Sequence, residues 1–293
     1  MSELRLLIGL PASGKSTYAQ RLRGIGEEIF QWEINWDTWR RDRGLHTKKF
    51  NRADEEKMQK DSMDFAEAMG EDGYNVLVDN TNLTESTRNR WKGVAERAGM
   101  TYTEVRMDTS LEECIRRDSL REGSARVGRA VIERMALFAG MIEFPINQRY
   151  IICDLDGTIA DCSHRRRFID GSLGFKNWDR FESECLLDPP HDKIIELVRM
   201  FHRDRYKILL VSGRQTGRGG IATEQWLYNN HVPYQHLFMR QSGDHRQDNI
   251  VKQEILDRLP KNQIDYILDD RNQVVDMWRS NGLTCLQVAE GDF

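Results

Sequence analysis

The sequence predicts two α/β domains, each built on a parallel sheet. At 293 residues, the chain is long enough for two domains of roughly 150 residues each. In each half, a short apolar strand leads into a segment typical of phosphate chemistry, Gly9–Thr17 in the first and Asp154–Thr158 in the second. Because ligands bind at the carboxyl ends of parallel strands, we expect one site per domain. The tight linker at 145–149 divides the chain into domains 1–147 and 148–293.

The composition indicates a highly charged protein without an overall basic field. The chain carries 43 Lys and Arg against 47 Asp and Glu, a formal net charge of -4, so contact with nucleic acid must come from local patches. Its five cysteines are scattered and form no Cys-x-x-Cys pair, which argues against a disulfide framework or a zinc site. Since no signal peptide or long apolar run is evident, we expect a cytoplasmic protein.

The first predicted strand, Leu4–Ile8, leads into a phosphate-binding loop. The loop fits G-x-x-x-x-G-K-[ST] and consists of Gly9, Leu10, Pro11, Ala12, Ser13, Gly14, Lys15, Ser16 and Thr17. In such a loop the backbone amides surround the phosphates of ATP, Lys15 reaches the β/γ-phosphates and Ser16 places its hydroxyl on Mg²⁺. A helix is predicted from Thr17 to about Arg23. The alternative is a chance glycine-rich turn.

A second strand, predicted over Ile29–Asn35, ends beside candidate acceptor residues. Asp37 follows it and is the candidate base that deprotonates an acceptor hydroxyl. Arg40 lies three residues further on and is a candidate clamp for an acceptor phosphate. The alternative is that Asp37 only caps a helix.

Two further segments of this half are predicted to face the same sheet edge. The strand Val76–Val78 ends in Asp79–Asn82, which would contact an acceptor or cap the helix that starts near Glu85. A helix is predicted from Leu111 to Glu122, with Arg117 and Arg121 on one face, as a lid over ATP phosphates requires. The alternative is an ordinary exposed basic helix.

In the second half, the strand beginning at Tyr150 leads into Asp154 and Asp156. Residues two apart in a strand point to the same side, so these carboxylates are expected to share a site that holds a cation or a proton. The alternative is a strand followed by an acidic turn. Three more polar segments follow in order: Ser212-Gly213-Arg214 after the strand Lys207–Val211, Lys252 in the helix Asp248–Arg258, and Asp269-Asp270 after the strand Ile264–Leu268.

This order of segments resembles the haloacid-dehalogenase phosphatase superfamily. The resemblance implies a Rossmann-like phosphatase domain in which Asp154 is the nucleophile that forms an aspartyl-phosphate and Asp156 is the general acid/base. It also implies that Ser212 binds phosphate and that Lys252 balances charge. The predicted Mg²⁺ ligands of this half are the carboxylates of Asp154, Asp156, Asp269 and Asp270. Metal and lysine together would neutralise carboxylates that otherwise repel a phosphate dianion.

A kinase and a phosphatase on one chain are futile if both act on one hydroxyl. The pairing is productive on a broken nucleic-acid strand, where one end needs a phosphate added and the other needs one removed. We therefore expect an end-healing enzyme. The alternatives are a kinase/phosphatase of a small metabolite and a nucleic-acid-binding scaffold with vestigial sites.

The whole chain resembles the bacteriophage-type bifunctional polynucleotide 5′-kinase/3′-phosphatases, in which a P-loop NTPase-type kinase precedes the phosphatase. The segments that carry the resemblance are Gly9–Thr17, Ile34–Asp37 with Arg40, Thr81–Leu83, Arg117, Arg121, Arg165, Ser212–Arg214, Gly243-Asp244 with Arg246, Asp248, Lys252, Asp269–Arg271 and Gln287–Phe293.

The resemblance implies that ATP, with Mg²⁺, phosphorylates 5′-OH ends of RNA or DNA while 3′-phosphates are removed, with 2′,3′-cyclic phosphates as further candidate substrates. Lys15, Asp37 and Arg121 would be catalytic in the kinase, and Arg117 would join Arg121 on ATP. Polynucleotide would contact Arg40, Thr81 and Asn82. The phosphatase substrate would contact Arg165, Ser212, Gly213, Arg214, Arg246 and Lys252. A homo-oligomer, with a tetramer as its expected size, is also implied.

Some positions depart from the family pattern. Asn80 stands where the pattern has an aspartate, and Gly128 where it has a proline. Arg165 is selected over Arg166 and Arg167 by its spacing from Asp154. The preferences for RNA or DNA, and for single-stranded or recessed ends, are left open.

Overall fold

The computed structural model describes residues 2–24, 30–45, 51–172 and 174–291, and divides the chain into two compact units, 1–121 and 122–293. Both units are α/β with a parallel sheet, so the predicted fold class is confirmed. Ile29, the predicted start of the second strand, and the closing residues Asp292 and Phe293 lie outside the described ranges. Within those ranges, no helix has the length and apolar character needed to cross a membrane.

The first unit has a four-stranded sheet in the order β2-β3-β1-β4. Its strands are β1 (Glu3–Ile8), β2 (Trp32–Ile34), β3 (Val76–Val78) and β4 (Thr101–Arg106). Its helices are α1 (Lys15–Gly24), α2 (Trp36–Asp42), α3 (Arg52–Glu71), α4 (Glu85–Arg97) and α5 (Leu111–Ser119). Strand β3 and most of β1 are buried, with Leu4 opposite Val76 and Leu6 opposite Val78. This register places the segments that follow β1 and β3 side by side.

The second unit has a five-stranded sheet in the order β7-β6-β5-β8-β9. Its strands are β5 (Tyr150–Cys153), β6 (Lys207–Gln215), β7 (His236–Arg240), β8 (Ile264–Arg271) and β9 (Cys285–Gly291). Its helices are α6 (Arg129–Phe138), α7 (Ser163–Arg166), α8 (Trp178–Ser183), α9 (Asp192–Arg203), α10 (Arg218–Asn229), α11 (Asp248–Leu256) and α12 (Asn272–Ser280). Central β5 is buried and pairs with β6 and β8. Their carboxyl ends, and the polar residues beyond them, therefore meet.

The segment 122–147 packs with the second unit, although the sequence assigns it to the kinase domain. Helix α6 lies against β7, where the fully buried Glu133 accepts hydrogen bonds from the backbone nitrogen of Leu237 and from His236. The boundary at 147/148 stays a prediction about functional domains, whereas the packing units meet at 121/122.

Candidate active sites

The loop Gly9–Thr17 connects β1 to α1 and curls around the ammonium group of Lys15. Gly14 has φ of +99°, a backbone conformation that favours glycine. Lys15 Nζ donates to the carbonyl oxygens of Gly9 (3.0 Å) and Leu10 (2.8 Å). Burial lowers the pKa of Lys15, and the carboxylate of Asp79 opposes this shift. The lysine is therefore a buried cation at the loop where phosphates are expected.

The side chain of Ser16 contacts Asp79, a residue whose role the sequence did not resolve. Ser16 Oγ donates to Asp79 Oδ2 at 2.8 Å, and Asp79 is buried just after β3. The helix that follows is capped by Thr84, which accepts from the backbone nitrogen of Thr87, so Asp79 does not cap it. A loop hydroxyl beside a strand-end aspartate is the pair that holds Mg²⁺ in P-loop NTPases. The position of Asp79 directly after the apolar run Val76–Val78 is the sequence feature that could have indicated this role.

Asp37 is exposed in the first turn of α2. The cap of this helix is Asn35, whose side chain accepts from the backbone nitrogen of Thr38 at 3.1 Å; the capping alternative for Asp37 was therefore wrong. The Asp37 side chain is 82% exposed and accepts from Arg40 Nη1 at 2.6 Å. Arg40 also binds Glu55, a partner that the sequence did not suggest. The carboxylate and the arginine thus lie together, as predicted, while their roles stay predictions.

The segment after β3 supports the phosphate loop. The carbonyl of Thr81 accepts from the backbone nitrogen of Gly9 at 3.0 Å. Asn82 is buried and donates from Nδ2 to the carbonyl of Leu7 at 2.8 Å. Asn80 Oδ1 accepts from the backbone nitrogen of Trp36. These contacts are structural, and the polynucleotide-binding roles predicted for Thr81 and Asn82 stay predictions.

Arg117 and Arg121 do not share a helix. The prediction that this helix runs to Glu122 was wrong, because α5 ends at Ser119 and the backbone then makes a tighter turn, with Arg121 N bonded to Asp118 O at 3.0 Å. Arg117 nevertheless lies at the loop, since its Nη1 is 3.7 Å from where a Cβ on Gly14 would be. Arg121 is one of the charges that lower the pKa of Lys15, after burial. Both guanidinium groups therefore lie near the expected phosphates.

In the second unit, three buried carboxylates form one cluster. Asp154 follows β5, and Asp269 and Asp270 are in β8; one oxygen from each lies within 4.8 Å of the others. Lys252 is fully buried in α11, and its Nζ lies 2.9 Å from both Asp154 Oδ1 and Asp269 Oδ2. The sequence-predicted residues Asp154, Lys252, Asp269 and Asp270 are thus brought together.

The electrostatics of this carboxylate cluster favour a bound cation. Burial, with Asp269, Asp248 and Asp270 nearby, raises the pKa of Asp154 well above its usual range despite Lys252. Burial and Asp269 raise the pKa of Asp270 to about 6. Lys252 stays charged because its carboxylate neighbours outweigh burial and raise its pKa. Negative oxygen ligands in excess of one ammonium fit a hard divalent cation.

Gly157 and Thr158 shape the turn beneath the carboxylate cluster. Gly157 has φ of +81°, and a Cβ there would lie 2.1 Å from Asp270 Oδ2. Thr158 Oγ1 donates to Asp270 Oδ1 at 3.1 Å. Gly157 therefore leaves space for the carboxylate of Asp270, a residue far away in the sequence. Thr158 orients that carboxylate.

Asp156 does not join the cluster, contrary to the prediction that it shares a site with Asp154 and binds metal through its carboxylate. Strand β5 ends at Cys153, so strand alternation no longer governs the two aspartates. The Asp156 carboxylate accepts from Arg214 Nε at 2.8 Å and from Arg165 Nη2. Burial opposes its ionisation, but Arg214 and Arg165 outweigh burial and lower the pKa of Asp156 to about 2.

Asp188 completes this arginine network and was missed by the sequence reasoning. Its carboxylate accepts from Arg165 Nε and from Arg214 Nη2, both at 2.7 Å, and its backbone carbonyl accepts from Trp226. No motif surrounds Asp188, which precedes two prolines, so only the tertiary structure identifies it. Arg165 is fully buried while the side chain of Arg167 is 59% exposed. Arg165 is therefore the arginine that faces Asp156, as a positioning residue.

The remaining predicted phosphatase residues lie near the end of β6 and in the segment before α11. Ser212 is buried, and its Oγ accepts from the backbone nitrogen of Arg214 at 3.2 Å. A Cβ on Gly213 would lie 2.3 Å from Asp248 Oδ1, so the glycine permits a close approach. Arg246 is bound to Asp244 and Glu254 at the surface. Its predicted contact with the substrate would require these ion pairs to rearrange.

Comparison with known proteins gives one family match for each half of the chain. Residues 148–293 match the family model of the polynucleotide kinase PNKP phosphatase domain, and residues 4–139 match that of an AAA domain. A putative bifunctional polynucleotide kinase/RNA ligase of Autographa californica nuclear polyhedrosis virus is 27% identical, covering 94% of this chain and 41% of that protein. A probable adenylyl-sulfate kinase of Aeropyrum pernix is 30% identical over 38% of this chain and 62% of its own length.

A chain from the structure of the Pnkp1/Rnl/Hen1 RNA repair complex is 25% identical, with a TM-score of 0.43 over 100% of this chain and 97% of that one. This chain spans about two fifths of the viral relative's length. Its two domains define an AAA-type nucleotide-binding unit joined to a haloacid-dehalogenase-like phosphatase unit. Residues 148–293 therefore belong to the family of polynucleotide kinase PNKP phosphatase domains, and residues 4–139 to that of AAA domains.

Proposed function

We propose that this protein heals nucleic-acid ends, transferring the γ-phosphoryl group of ATP to a 5′-OH terminus and removing a phosphate from a 3′ terminus. The observation that carries the proposal is that one chain holds two chemically distinct sites, Lys15 and Ser16 beside Asp79, and Asp154 with Lys252 beside Asp269. Opposite reactions are productive together when they act on different ends of one substrate.

In the kinase site, Asp37 would accept the proton of the 5′-hydroxyl as the hydroxyl oxygen attacks the γ-phosphorus, and the bond from the γ-phosphorus to the bridging oxygen would break to release ADP. Lys15, Arg117 and Arg121 would stabilise the charge on the transferring group, and Arg40 would bind a phosphate of the acceptor. Ser16 and Asp79 are the residues that would hold Mg²⁺, which supplies charge neutralisation when bound.

In the phosphatase site, Asp154 would attack the phosphorus, breaking its bond to the 3′-oxygen and forming an aspartyl-phosphate that water then hydrolyses. Asp156 would give a proton to the leaving 3′-oxygen and regain one from that water. Because Arg165 and Arg214 keep Asp156 ionised, the acid role needs a substrate dianion that draws these arginines away. Asp154, Asp269 and Asp270 would hold Mg²⁺.

Two assays test the proposal. Oligonucleotides of RNA and DNA bearing a 5′-OH should accept label from γ-labelled ATP, and the same strands bearing a 3′-phosphate or a 2′,3′-cyclic phosphate should be tested for release of phosphate or ring opening. Label transfer to adenylyl sulfate but to no oligonucleotide would favour the small-metabolite alternative, to which the likeness of the first unit to an adenylyl-sulfate kinase points.

We further propose that the protein forms a homo-tetramer, as the resemblance to the phage-type enzymes implies, and that it acts in the cytoplasm, which its scattered cysteines suit. Light scattering of the purified protein measures its mass in solution. A mass equal to that of one chain at the assay concentration would contradict the tetramer.

A further inference from the structure

The side chain of Asn80 has one hydrogen-bonded atom and one unpartnered atom. Asn80 lies just after β3 and is only 9% exposed. Its Oδ1 accepts from the backbone nitrogen of Trp36 at 2.8 Å. Its Nδ2 is buried, and no described residue accepts a hydrogen bond from it. A buried donor without an acceptor is costly, so this nitrogen indicates a place where a ligand atom accepts the hydrogen bond.

The orientation of the Asn80 amide is fixed by its neighbour. A backbone N–H group can only donate, so the side-chain atom that faces Trp36 N must be the oxygen. Reversing the amide would place two donors against each other. The unpartnered atom is therefore the NH₂ group, and its ligand must present an acceptor atom.

Asn80 connects the two sides of the kinase site. The residue before it, Asp79, accepts from the hydroxyl of Ser16 in the phosphate loop. The residue that its own oxygen holds, Trp36, is followed directly by Asp37, whose side chain is 82% exposed. These residues lie at the carboxyl ends of β2 and β3, the edge of a parallel sheet at which ligands bind. The unpartnered donor therefore belongs to the edge that carries the candidate base.

A hydroxyl group can bind Asn80 and Asp37 at the same time. It donates its proton to the carboxylate, while its oxygen accepts from an amide N–H and keeps a second lone pair for attack on phosphorus. The γ-phosphate of ATP also offers acceptor oxygens. The contacts favour the hydroxyl, because the Asn80 side chain is bonded to the start of α2, whereas it is Asp79 that contacts the phosphate loop.

We propose that Asn80 binds the acceptor of the kinase reaction by donating a hydrogen bond from Nδ2 to the oxygen of the 5′-hydroxyl group. The inference rests on the proposed kinase function and adds to it a residue that orients the nucleophile. Asn80 exchanges no atom in the reaction: the hydroxyl proton passes to Asp37, the hydroxyl oxygen bonds to the γ-phosphorus, and ADP leaves.

Two variants separate the donor from the rest of the side chain. Asn80→Asp keeps an oxygen for Trp36 N but removes the NH₂ group, and Asn80→Ala removes the whole amide without adding charge. Both should lower kcat/KM for a 5′-OH oligonucleotide about tenfold, the effect of one lost hydrogen bond. KM for ATP should stay at the wild-type value in both, which also shows that the phosphate loop is folded.

Asn51→Asp is the matched control. Asn51 caps α3 through Oδ1, which accepts from the backbone nitrogen of Ala53 at 2.9 Å. The change to aspartate keeps that acceptor and removes the same NH₂ group at an exposed position, so kinase activity should match that of the wild type.

Three results would overturn the inference. Wild-type activity of Asn80→Asp would show that the amide only anchors α2 through its oxygen. Wild-type activity of Asn80→Ala beside an impaired Asn80→Asp would show that added charge, not the lost donor, causes the defect. An equal rise in KM for ATP would place the donor on the nucleotide. Wild-type protein that labels no oligonucleotide would instead overturn the proposed kinase function, and the inference with it.

Discussion

Asp154 and Asp156 have opposite electrostatic surroundings although one residue separates them. Asp154 lies among carboxylates and one lysine, and burial raises its pKa. Burial also opposes the ionisation of Asp156, but this residue lies between two arginines that lower its pKa to about 2. Such divergence between neighbouring acids is the usual sign of different chemical roles. It agrees with a nucleophile at Asp154 and a proton-transfer group at Asp156.

Arg165→Lys should lower phosphatase kcat at least about tenfold, because an ammonium group cannot bridge Asp156 and Asp188 as the planar guanidinium does. The assay is release of phosphate from a 3′-phosphorylated oligonucleotide, with kinase activity measured in parallel and expected to persist. Arg167→Lys is the matched control at an exposed position and should behave as wild type. Loss of activity in the control but not in Arg165→Lys would reverse the assignment of these arginines.

Glu182, on α8, should make the protein less stable as pH rises. Burial raises its pKa to about 7, helped by Asp156 and opposed by a hydrogen bond from the backbone of Gln215. The folded state therefore retains this proton between about pH 4.5 and 7 while the unfolded chain has lost it, and stability falls with pH across that window.

Glu182→Gln removes the charge of the carboxylate with little change of shape, so the gain in thermal unfolding temperature over wild type should be small at pH 5 and larger at pH 8. The upper bound is about 3 kcal/mol, from the size of the pKa shift. Glu196→Gln, at an exposed position on α9, should show no such pH-dependent difference. A difference for Glu182→Gln that is the same at both pH values would contradict the prediction.

At the scale of elements, helix α6 shows how a segment can match one domain by sequence and pack with another. The AAA-domain match extends to residue 139, yet α6 is anchored on β7. Glu133 is fully buried and accepts from Leu237 N at 2.7 Å, from His236 at 3.0 Å and from Arg129 Nε at 3.0 Å. The stability of the phosphatase unit therefore depends on residues that precede its family match.

Glu133→Ala should destabilise the second unit by about 3 kcal/mol, because it leaves buried donors without an acceptor. Phosphatase activity should then be lost at a lower temperature than kinase activity, as measured by residual activity after heating. Glu133→Gln keeps an acceptor for Leu237 N and should cost less. If the kinase activity became the more heat-sensitive one in Glu133→Ala, α6 would belong functionally to the first unit.

At the scale of the whole molecule, the two sites are predicted to act independently. Lys15→Ala removes the cation of the phosphate loop and should abolish 5′-phosphorylation while leaving 3′-dephosphorylation unchanged. Asp154→Asn removes the proposed nucleophile and should do the reverse. Each variant is assayed for both activities on one oligonucleotide that carries a 5′-OH and a 3′-phosphate. Loss of both activities in either folded variant would show that the sites depend on each other.

Local patterns predicted the strands that carry the sites, but not the ends of the elements or the two outer strands of the second sheet. The phosphate loop and β5 were predicted because apolar strand, turn and motif follow one another within a few residues. The helix predicted to reach Glu122 ends at Ser119 because hydrogen bonds of the turn compete with helical ones. Strands β7 and β9 were missed. Strand β7 is a short, mostly apolar run without a motif. Part of β9 was noted only because the C-terminal residues resemble those of the phage-type enzymes.

The sequence by itself determined that this chain has two parallel-sheet domains, with a phosphate-loop motif at Gly9–Thr17 and a strand-end aspartate at Asp154, since each signature lies within a short stretch. Only the tertiary structure decided that Asp79 faces Ser16, that Asp156 and Asp188 share two arginines, and that α6 packs on β7. These partners are far apart along the chain, and burial makes their pairing energetically necessary, because an unpaired buried charge or donor is costly.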